Sequence, residues 1–77
     1  MTDELTVVSL EPGDIASRCA ELRRALAQVP AGASLYVMGP SDLAEVLSRV
    51  GTPDAEPWRV LAGPDGLEAW TRKGEGR

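Results

Sequence analysis

Breaks that contain proline and glycine divide this chain into six short segments, and they constrain its fold more than any other feature. Proline lacks a backbone donor and glycine permits turn geometry, so both favour the ends of strands and helices. The breaks are Glu11-Pro12-Gly13, Pro30-Ala31-Gly32, Gly39-Pro40, Gly51-Thr52-Pro53 and Gly63-Pro64-Asp65-Gly66. Since the chain has 77 residues, the segments between these breaks make up one small domain.

The segment between the first two breaks predicts an α-helix with one apolar face. Its apolar residues recur at intervals of 4, 3, 4 and 3 positions: Ile15, Cys19, Leu22, Leu26 and Val29. Asp14 is the predicted N-cap, and Pro30 ends the helix because it disfavours helical geometry in the residue before it. The opposite face is predicted to be solvated and carries Arg18, Glu21, Arg24 and Gln28.

A second, shorter helix follows the Gly39-Pro40 turn. Its apolar stripe consists of Leu43, Val46, Leu47 and Val50. Asp42 with Glu45 resembles a capping box, and Ser41 is the alternative cap. Gly51 is expected to end the helix in the left-handed αL conformation.

Four segments predict strands, at residues 5–10, 34–38, 58–62 and 67–72, the last two joined as a hairpin. In the order β-α-β-α-β-β, each β-α-β step predicts a parallel pair of strands with a right-handed crossover, which puts both helices on one face, and the hairpin adds antiparallel pairing. The predicted fold class is a two-layer α/β (α+β) sandwich with a four-stranded mixed sheet. Residues 5–72 form the predicted domain, and residues 1–4 and 73–77 are expected to be disordered.

The hairpin register decides which tryptophan faces away from the helices. Without a bulge in the turn, Trp70 lies opposite Arg59, and Trp58 shares a face with Val60. With a bulge at Gly66, Trp58, Val60 and Trp70 share one face. In either register the sheet side without helices is expected to carry an apolar patch, the kind of surface that marks a partner site.

Charge and composition limit the classes of partner. The net charge is −4 and the sequence pI is about 4.6, which disfavours binding to a phosphate backbone. The sequence contains no apolar run of the length of a membrane span, and its acidic start does not resemble a signal peptide. A lone cysteine cannot form an internal disulfide, so we expect a cytoplasmic protein. The acidic charge and the lack of a long apolar run predict that it binds neither nucleic acid nor a membrane.

The sequence offers little catalytic chemistry. It contains no histidine, and Cys19, its one cysteine, falls inside the apolar stripe, where a thiol forms little thiolate. The acidic residues around the first strand lack the spacing of a calcium loop, and no glycine motif matches a phosphate-binding loop. We therefore expect no catalytic residue, no metal and no cofactor.

The element order on so short a chain resembles the TusA/SirA family of small sulfur-carrier proteins. The stretch Leu22-Arg23-Arg24-Ala25-Leu26-Ala27 is similar to the family's Leu-Arg-Lys-Ala-Leu-Ala, and Pro30-Ala31-Gly32 to the Pro-x-Gly that follows it. The C-terminal Asp65-Gly66-Leu67 and Arg72-Lys73-Gly74 also look like a family C-terminus. The family opens its first helix with Cys-Pro-x-Pro, and this cysteine carries sulfur as a persulfide.

This chain departs from the family at that motif. Ungapped alignment places Ile15 where the family has its cysteine, and Ala16, Ser17 and Arg18 where it has Pro-x-Pro. The resemblance therefore implies a TusA-like protein that binds a protein partner, such as an enzyme of sulfur metabolism or biosynthesis, without the sulfur chemistry. The alternatives are a persulfide carrier that uses Cys19, and a structural subunit or homodimer.

The predicted partner surface has two parts. One is the start of the first helix, with Gly13, Asp14, Ile15 and Arg18. The other is the sheet face away from the helices, with Trp58 or Trp70 according to the hairpin register.

Overall fold

A computed structural model describes residues 4–52 and 54–74 of the chain. In chain order its elements are β1 (Leu5–Ser9), α1 (Ile15–Gln28), β2 (Ser34–Gly39), α2 (Leu43–Val50), β3 (Arg59–Gly63) and β4 (Gly66–Arg72). The four strands form one mixed sheet in the order β1-β2-β4-β3. The predicted two-layer α/β fold with a four-stranded mixed sheet is therefore confirmed.

Strand β4 lies in the middle of the sheet although it is last in the chain. It pairs antiparallel with both β2 and β3, whereas β1 pairs parallel with β2. Strands β2 and β3 consequently run in the same direction, but β4 lies between them, so the parallel pair expected from the second β-α-β step does not form. Among the described residues, β1 and β3 are the two edges of the sheet.

The core lies between the two helices and one face of the sheet. From α1, the stripe residues Cys19, Leu22 and Leu26 are buried, as is Val29 at its C-cap, and Ile15 at its start packs against them. All four stripe residues of α2 are buried as well. These side chains meet Leu35 and Val37 of β2 and Ala69 of β4, so the helical periodicity identified the core correctly.

The helix ends follow the sequence in part. Asp14 caps α1, since its carboxylate accepts a hydrogen bond from the Ser17 amide at 3.1 Å. The predicted capping box of α2 is wrong: Asp42 is the N-cap residue but makes no side-chain cap bond, because its carboxylate binds Arg18. Gly51 ends α2 with φ +74° and ψ −161°, a glycine conformation different from the expected αL.

The hairpin adopts the register without a bulge. Gly63 pairs with Gly66 across the two-residue turn Pro64-Asp65, Ala62 lies opposite Leu67, and Arg59 lies opposite Trp70. Glycine is required at position 66, because a Cβ there would overlap the Gly39 carbonyl oxygen. This close approach of β4 to β2 fixes the register of the hairpin against the rest of the sheet.

The ordered part of the domain extends slightly beyond the predicted residues 5–72. The Glu4 carbonyl accepts from the Ser34 amide at 3.0 Å. At the other end, the Lys73 amide donates to Ala33 at 2.9 Å and the Gly74 amide donates to Asp54 at 3.0 Å. Residues 73 and 74 are therefore held by backbone hydrogen bonds; the remaining residues predicted to be disordered, 1–3 and 75–77, lie outside the described part of the chain.

Candidate functional site

The sheet face opposite the helices carries a broad apolar surface, which we call the open face. Side chains alternate along each strand, so the residues next to the buried Leu35 and Val37 point away from the helices. The pairing registers place one row across all four strands: Val7, Tyr36, Trp70 and Arg59. The remaining open-face residues are Leu5, Ser9, Ser34, Met38, Leu61, Glu68 and Arg72.

The two edges of the open face are the most exposed. Leu5 and Val7 of β1 are 60% and 55% exposed, and Leu61 of β3 is 57% exposed. Between them Tyr36, Met38 and Trp70 are partly exposed. Isolated apolar side chains are common on protein surfaces, whereas neighbouring ones mark interaction sites. The neighbouring apolar side chains of this face lie on β1, β2 and β4, and Glu68 lies between Met38 and Leu61.

Polar groups on the open face hold its aromatic rings in place. The Tyr36 hydroxyl donates a hydrogen bond to the Glu68 carboxylate, which raises the pKa of Tyr36 above its ordinary value of 10.0. The Arg59 guanidinium lies 5.0 Å from the centroid of the Trp70 ring, within the range of a cation–π contact. Both aromatic side chains therefore have a polar partner on the same face.

A groove of about 340 Å³ adjoins the open face at the end of β2. Its walls come from the Gly39-Pro40 turn and the β3–β4 turn, and Met38 and Leu67 contribute apolar surface. Its polar side chains are Ser9, Asp65 and Glu68. This set lacks a nucleophile with a basic partner, so the groove suits binding better than catalysis.

Arg18, at the start of α1, is buried rather than solvated, which corrects its assignment to the solvated face. It is 6% exposed, and its two guanidinium nitrogens donate to the Asp42 carboxylate at 2.5 and 2.6 Å. The second of these also donates to the Gly13 carbonyl at 2.7 Å. The hydrogen bonds from Arg18 lower the pKa of Asp42 below its ordinary value of 3.8.

The predicted site residues at the start of α1 thus have different environments. Gly13 and Asp14 are exposed and Ile15 is partly buried. Arg18 is buried among the groups that link α1 to α2, which leaves it unavailable as a contact residue unless that link opens. Arg18 lies three residues after Ile15 and four before Leu22, and this spacing places it beside the apolar stripe of α1. The sequence analysis did not use this signal.

Cys19 is buried, as its place in the stripe predicts. It is 4% exposed, and its Sγ lies 4.0 Å from the Val46 carbonyl oxygen. A groove of about 300 Å³ reaches it, lined also by Ile15, Ala16, Arg23 and Arg49. The Arg23 guanidinium donates to the Arg49 carbonyl at 3.2 Å and so links α1 to α2 beside this groove.

The two tryptophans lie on opposite sides of the sheet. Trp58 precedes β3 on the helix side, packs against the core and donates from its indole nitrogen to the Gly51 carbonyl at 2.9 Å. Trp70 belongs to the open face. Of the six predicted binding residues, only Trp70 therefore lies on the open face. The sequence analysis missed Leu5 and Val7, which lie on this face and are exposed.

Neither a metal-binding cluster nor a membrane-spanning helix occurs in the described ranges 4–52 and 54–74. These residues contain no group of three or more side chains of the types that hold metal ions. They also contain no helix long and apolar enough to cross a membrane.

Comparison of the sequence with protein-family models finds no match, and comparisons with curated proteins and with solved structures find no significant one.

Proposed function

We propose that this chain is a non-catalytic protein-binding module of TusA-like arrangement whose docking surface is the open face. The observation that carries the proposal is a group of neighbouring apolar side chains on β1, β2 and β4, in which Leu5 and Val7 are exposed by more than half; its members are Leu5, Val7, Tyr36, Met38 and Trp70. Aromatic side chains are favoured anchors of protein interfaces, and Tyr36 and Trp70 occupy the centre of this one. The partner class implied by the TusA resemblance is an enzyme of sulfur metabolism or biosynthesis.

The polar groups of the open face favour a protein over a nucleic acid. The face carries two arginines, Arg59 and Arg72, but also Glu68, and the whole chain has a net charge of −4. Single-stranded nucleic acids require a positive groove in addition to aromatic stacking surfaces. A mixed rim around an apolar centre is instead the ordinary composition of a protein interface.

A persulfide carrier is the second candidate, and the groove above Cys19 is the observation in its favour. The groove is bordered by the side chains of Arg23 and Arg49, which are the kind of cationic neighbours that stabilise a thiolate. Against this candidate, only 4% of Cys19 is exposed. A carrier would therefore require α1 and α2 to separate at each transfer.

The proposed function is tested by partner capture with matched variants. Immobilised wild-type chain is compared with Trp70→Ala and Leu61→Lys on the open face and with Glu21→Lys and Arg24→Ala on the exposed side of α1. We expect both open-face changes to abolish capture of the same partner and both helix changes to leave it unchanged. Loss of capture in Cys19→Ala, with the open-face variants unaffected, would instead support the carrier.

A further inference from the structure

Strand β1 has an edge of unpaired backbone groups that follows from its hydrogen-bond pattern. The Glu4 carbonyl accepts from Ser34, and the Leu10 amide donates to Met38 at 2.8 Å. In a parallel pair, alternate residues of a strand bond to the neighbour, so the even-numbered residues of β1 bond to β2. The amides and carbonyls of Leu5, Val7 and Ser9 therefore point outward, and in residues 4–52 and 54–74 no other strand pairs with them.

This edge lacks the usual protection against pairing with another strand. Proteins commonly block an edge strand with proline, charge or a bulge. The other edge, β3, carries Arg59 and lies between Pro57 and Pro64. The sequence of β1, Leu-Thr-Val-Val-Ser, has no charge, proline or glycine, and its outward-facing residues also place their side chains on the open face.

The charges around β1 are acidic at both ends. Glu4 precedes the strand and Glu11 follows it by two residues, and both are exposed. The nearest open-face cation in the register, Arg72, lies two strands away from Leu5, which is about 10 Å at the usual strand spacing. A strand that pairs with β1 would therefore lie beside uncharged residues along its middle and beside the Glu4 and Glu11 carboxylates near its two ends.

We propose that an extended segment of a partner protein, apolar at alternate positions and bearing lysine or arginine at both ends, adds to β1 as a fifth strand. This inference rests on the proposed function, because it identifies how the partner reaches the open face. The main chain of the segment pairs with Leu5, Val7 and Ser9, and its apolar side chains continue the row that begins with Val7 and Tyr36. Its cations lie beside Glu4 and Glu11.

Charge distinguishes this occupant from a second copy of the chain. Antiparallel pairing of two β1 strands about Val7 brings Glu11 of each copy toward the start of the other strand, beside Glu4. Parallel pairing places each of these carboxylates beside its own equivalent. Both arrangements bring like charges together, whereas a segment with basic ends brings opposite charges together in either direction.

The test uses a synthetic peptide, acetyl-Lys-Thr-Val-Thr-Val-Thr-Val-Lys-amide, and amide exchange of the chain followed by NMR. We expect the peptide to slow exchange at Leu5, Val7 and Ser9 and to shift the Tyr36 and Trp70 resonances, with the affinity falling as salt is added. Replacing both lysines by glutamate should weaken binding about tenfold or more, as should Glu4→Lys with Glu11→Lys in the chain.

Two N-methylated peptides separate strand addition from side-chain docking. In antiparallel pairing the valine amides point to β1, so N-methylation of the valines abolishes binding and N-methylation of the threonines does not. Parallel pairing reverses this result and also supports the proposal. Equal binding of both methylated peptides overturns it, as does a failure of the unmodified peptide to bind at about 1 mM.

The outcomes also separate this inference from the proposed function. Shifts at Trp70 and Leu61 without slower exchange at Val7 overturn strand addition and leave the open face as the docking surface. If amide exchange at Val7 slows and the Trp70→Ala variant still captures the partner, strand addition is supported and the open-face proposal is contradicted. If sedimentation shows a dimer whose fraction rises with salt concentration, a second copy of the chain is the occupant and the proposal is overturned.

Discussion

Single side chains decide which chemistry this molecule can perform. Cys19 is the residue with the greatest intrinsic reactivity, and it contributes to the core between α1 and α2. Tyr36 is the residue whose ionisation reports most directly on the open face, because its hydroxyl is bound by Glu68. These two residues therefore test the buried thiol and the docking surface separately.

The first prediction concerns access to Cys19. Since its side chain is 4% exposed, Ellman's reagent should label the folded chain slowly and the denatured chain fast. Cys19→Ala should lower the free energy of unfolding by about 1 kcal/mol through lost packing, measured by urea denaturation. Fast labelling of the folded chain would contradict the buried position and strengthen the persulfide-carrier candidate.

The second prediction concerns the titration of Tyr36, the one tyrosine of the chain. Its hydrogen bond to Glu68 raises the pKa, so the phenolate absorbance should develop with a midpoint above the ordinary 10.0. Glu68→Gln should move this midpoint back toward 10.0, whereas the control Glu21→Gln on α1 should leave it unchanged. An unchanged midpoint in Glu68→Gln would mean that the cross-strand contact does not order the aromatic pair.

At the scale of the elements, the sequence predicted the helices and strands well because its signals are local. Pro30 and Gly51 follow the ends of α1 and α2, Pro12 lies in the loop between β1 and α1, and the two apolar stripes are the buried faces of the helices. Pairing was harder to predict, because the central position of β4 depends on contacts with β2, whose residues lie 28 to 38 positions earlier in the chain. The hairpin register likewise depends on the close contact between Gly66 and Gly39, which no local pattern reveals.

Arg18 shows why the candidate site was predicted less well than the fold. Residue type assigned it to solvent, whereas Asp42, 24 positions later, makes its burial possible. The two terminal guanidinium nitrogens of Arg18 are bonded to the Asp42 carboxylate and the Gly13 carbonyl, which compensates for much of the cost of burial, whereas its buried Nε has no partner among the described residues. The burial of a charged side chain depends on its partner, and the partner is known only once α1 and α2 are placed together.

The third prediction follows from this link between the helices. Since Arg18 lowers the pKa of Asp42, ionised Asp42 stabilises the fold at pH values above the ordinary 3.8. That stability is lost as the pH falls through the lowered pKa of the folded state. Wild type should therefore lose unfolding free energy below about pH 4, whereas Asp42→Asn should start lower and change less with pH.

Urea denaturation at several pH values measures this difference, with Asp65→Asn in the exposed turn as the matched control. The control should keep the wild-type pH profile. Parallel profiles for wild type and Asp42→Asn would show that the Arg18–Asp42 pair does not link folding to protonation.

The fourth prediction tests the alignment behind the TusA resemblance. Ile15 is the first residue of α1, where the helix dipole and free amides favour an anion. In a Cys19→Ala background, Ile15→Cys should give a thiol with a pKa below about 8.5, although neighbouring Asp14 opposes the shift. A pKa at or above that value, measured from the pH dependence of labelling, would argue against placing Ile15 at the family's cysteine position.

At the scale of the whole molecule, the helix side and the open side serve different purposes. The helices pack on one sheet face and supply the core, although Val60 of β3 stays exposed there, while no described helix covers the other face and no described strand pairs with the outer edge of β1. A domain of this size has a small core, so covering the open face would add stability as well as specificity. Although β1 itself carries no charge, we expect the carboxylates of Glu4 and Glu11, near its two ends, to oppose its pairing with another copy of the chain.

The fifth prediction is that these two carboxylates control self-association. Wild type should sediment as a monomer at low salt, because two β1 strands cannot pair without bringing Glu4 and Glu11 of the two copies together. Glu4→Gln with Glu11→Gln removes this repulsion without adding a cation, and the mass should then rise toward a dimer as concentration increases. Glu21→Gln with Glu45→Gln, which removes the same charge from the helix side, should leave the chain monomeric. If both double variants self-associate, the lower net charge of the chain is the cause. If both stay monomeric, Glu4 and Glu11 are not what prevents the pairing of two β1 strands.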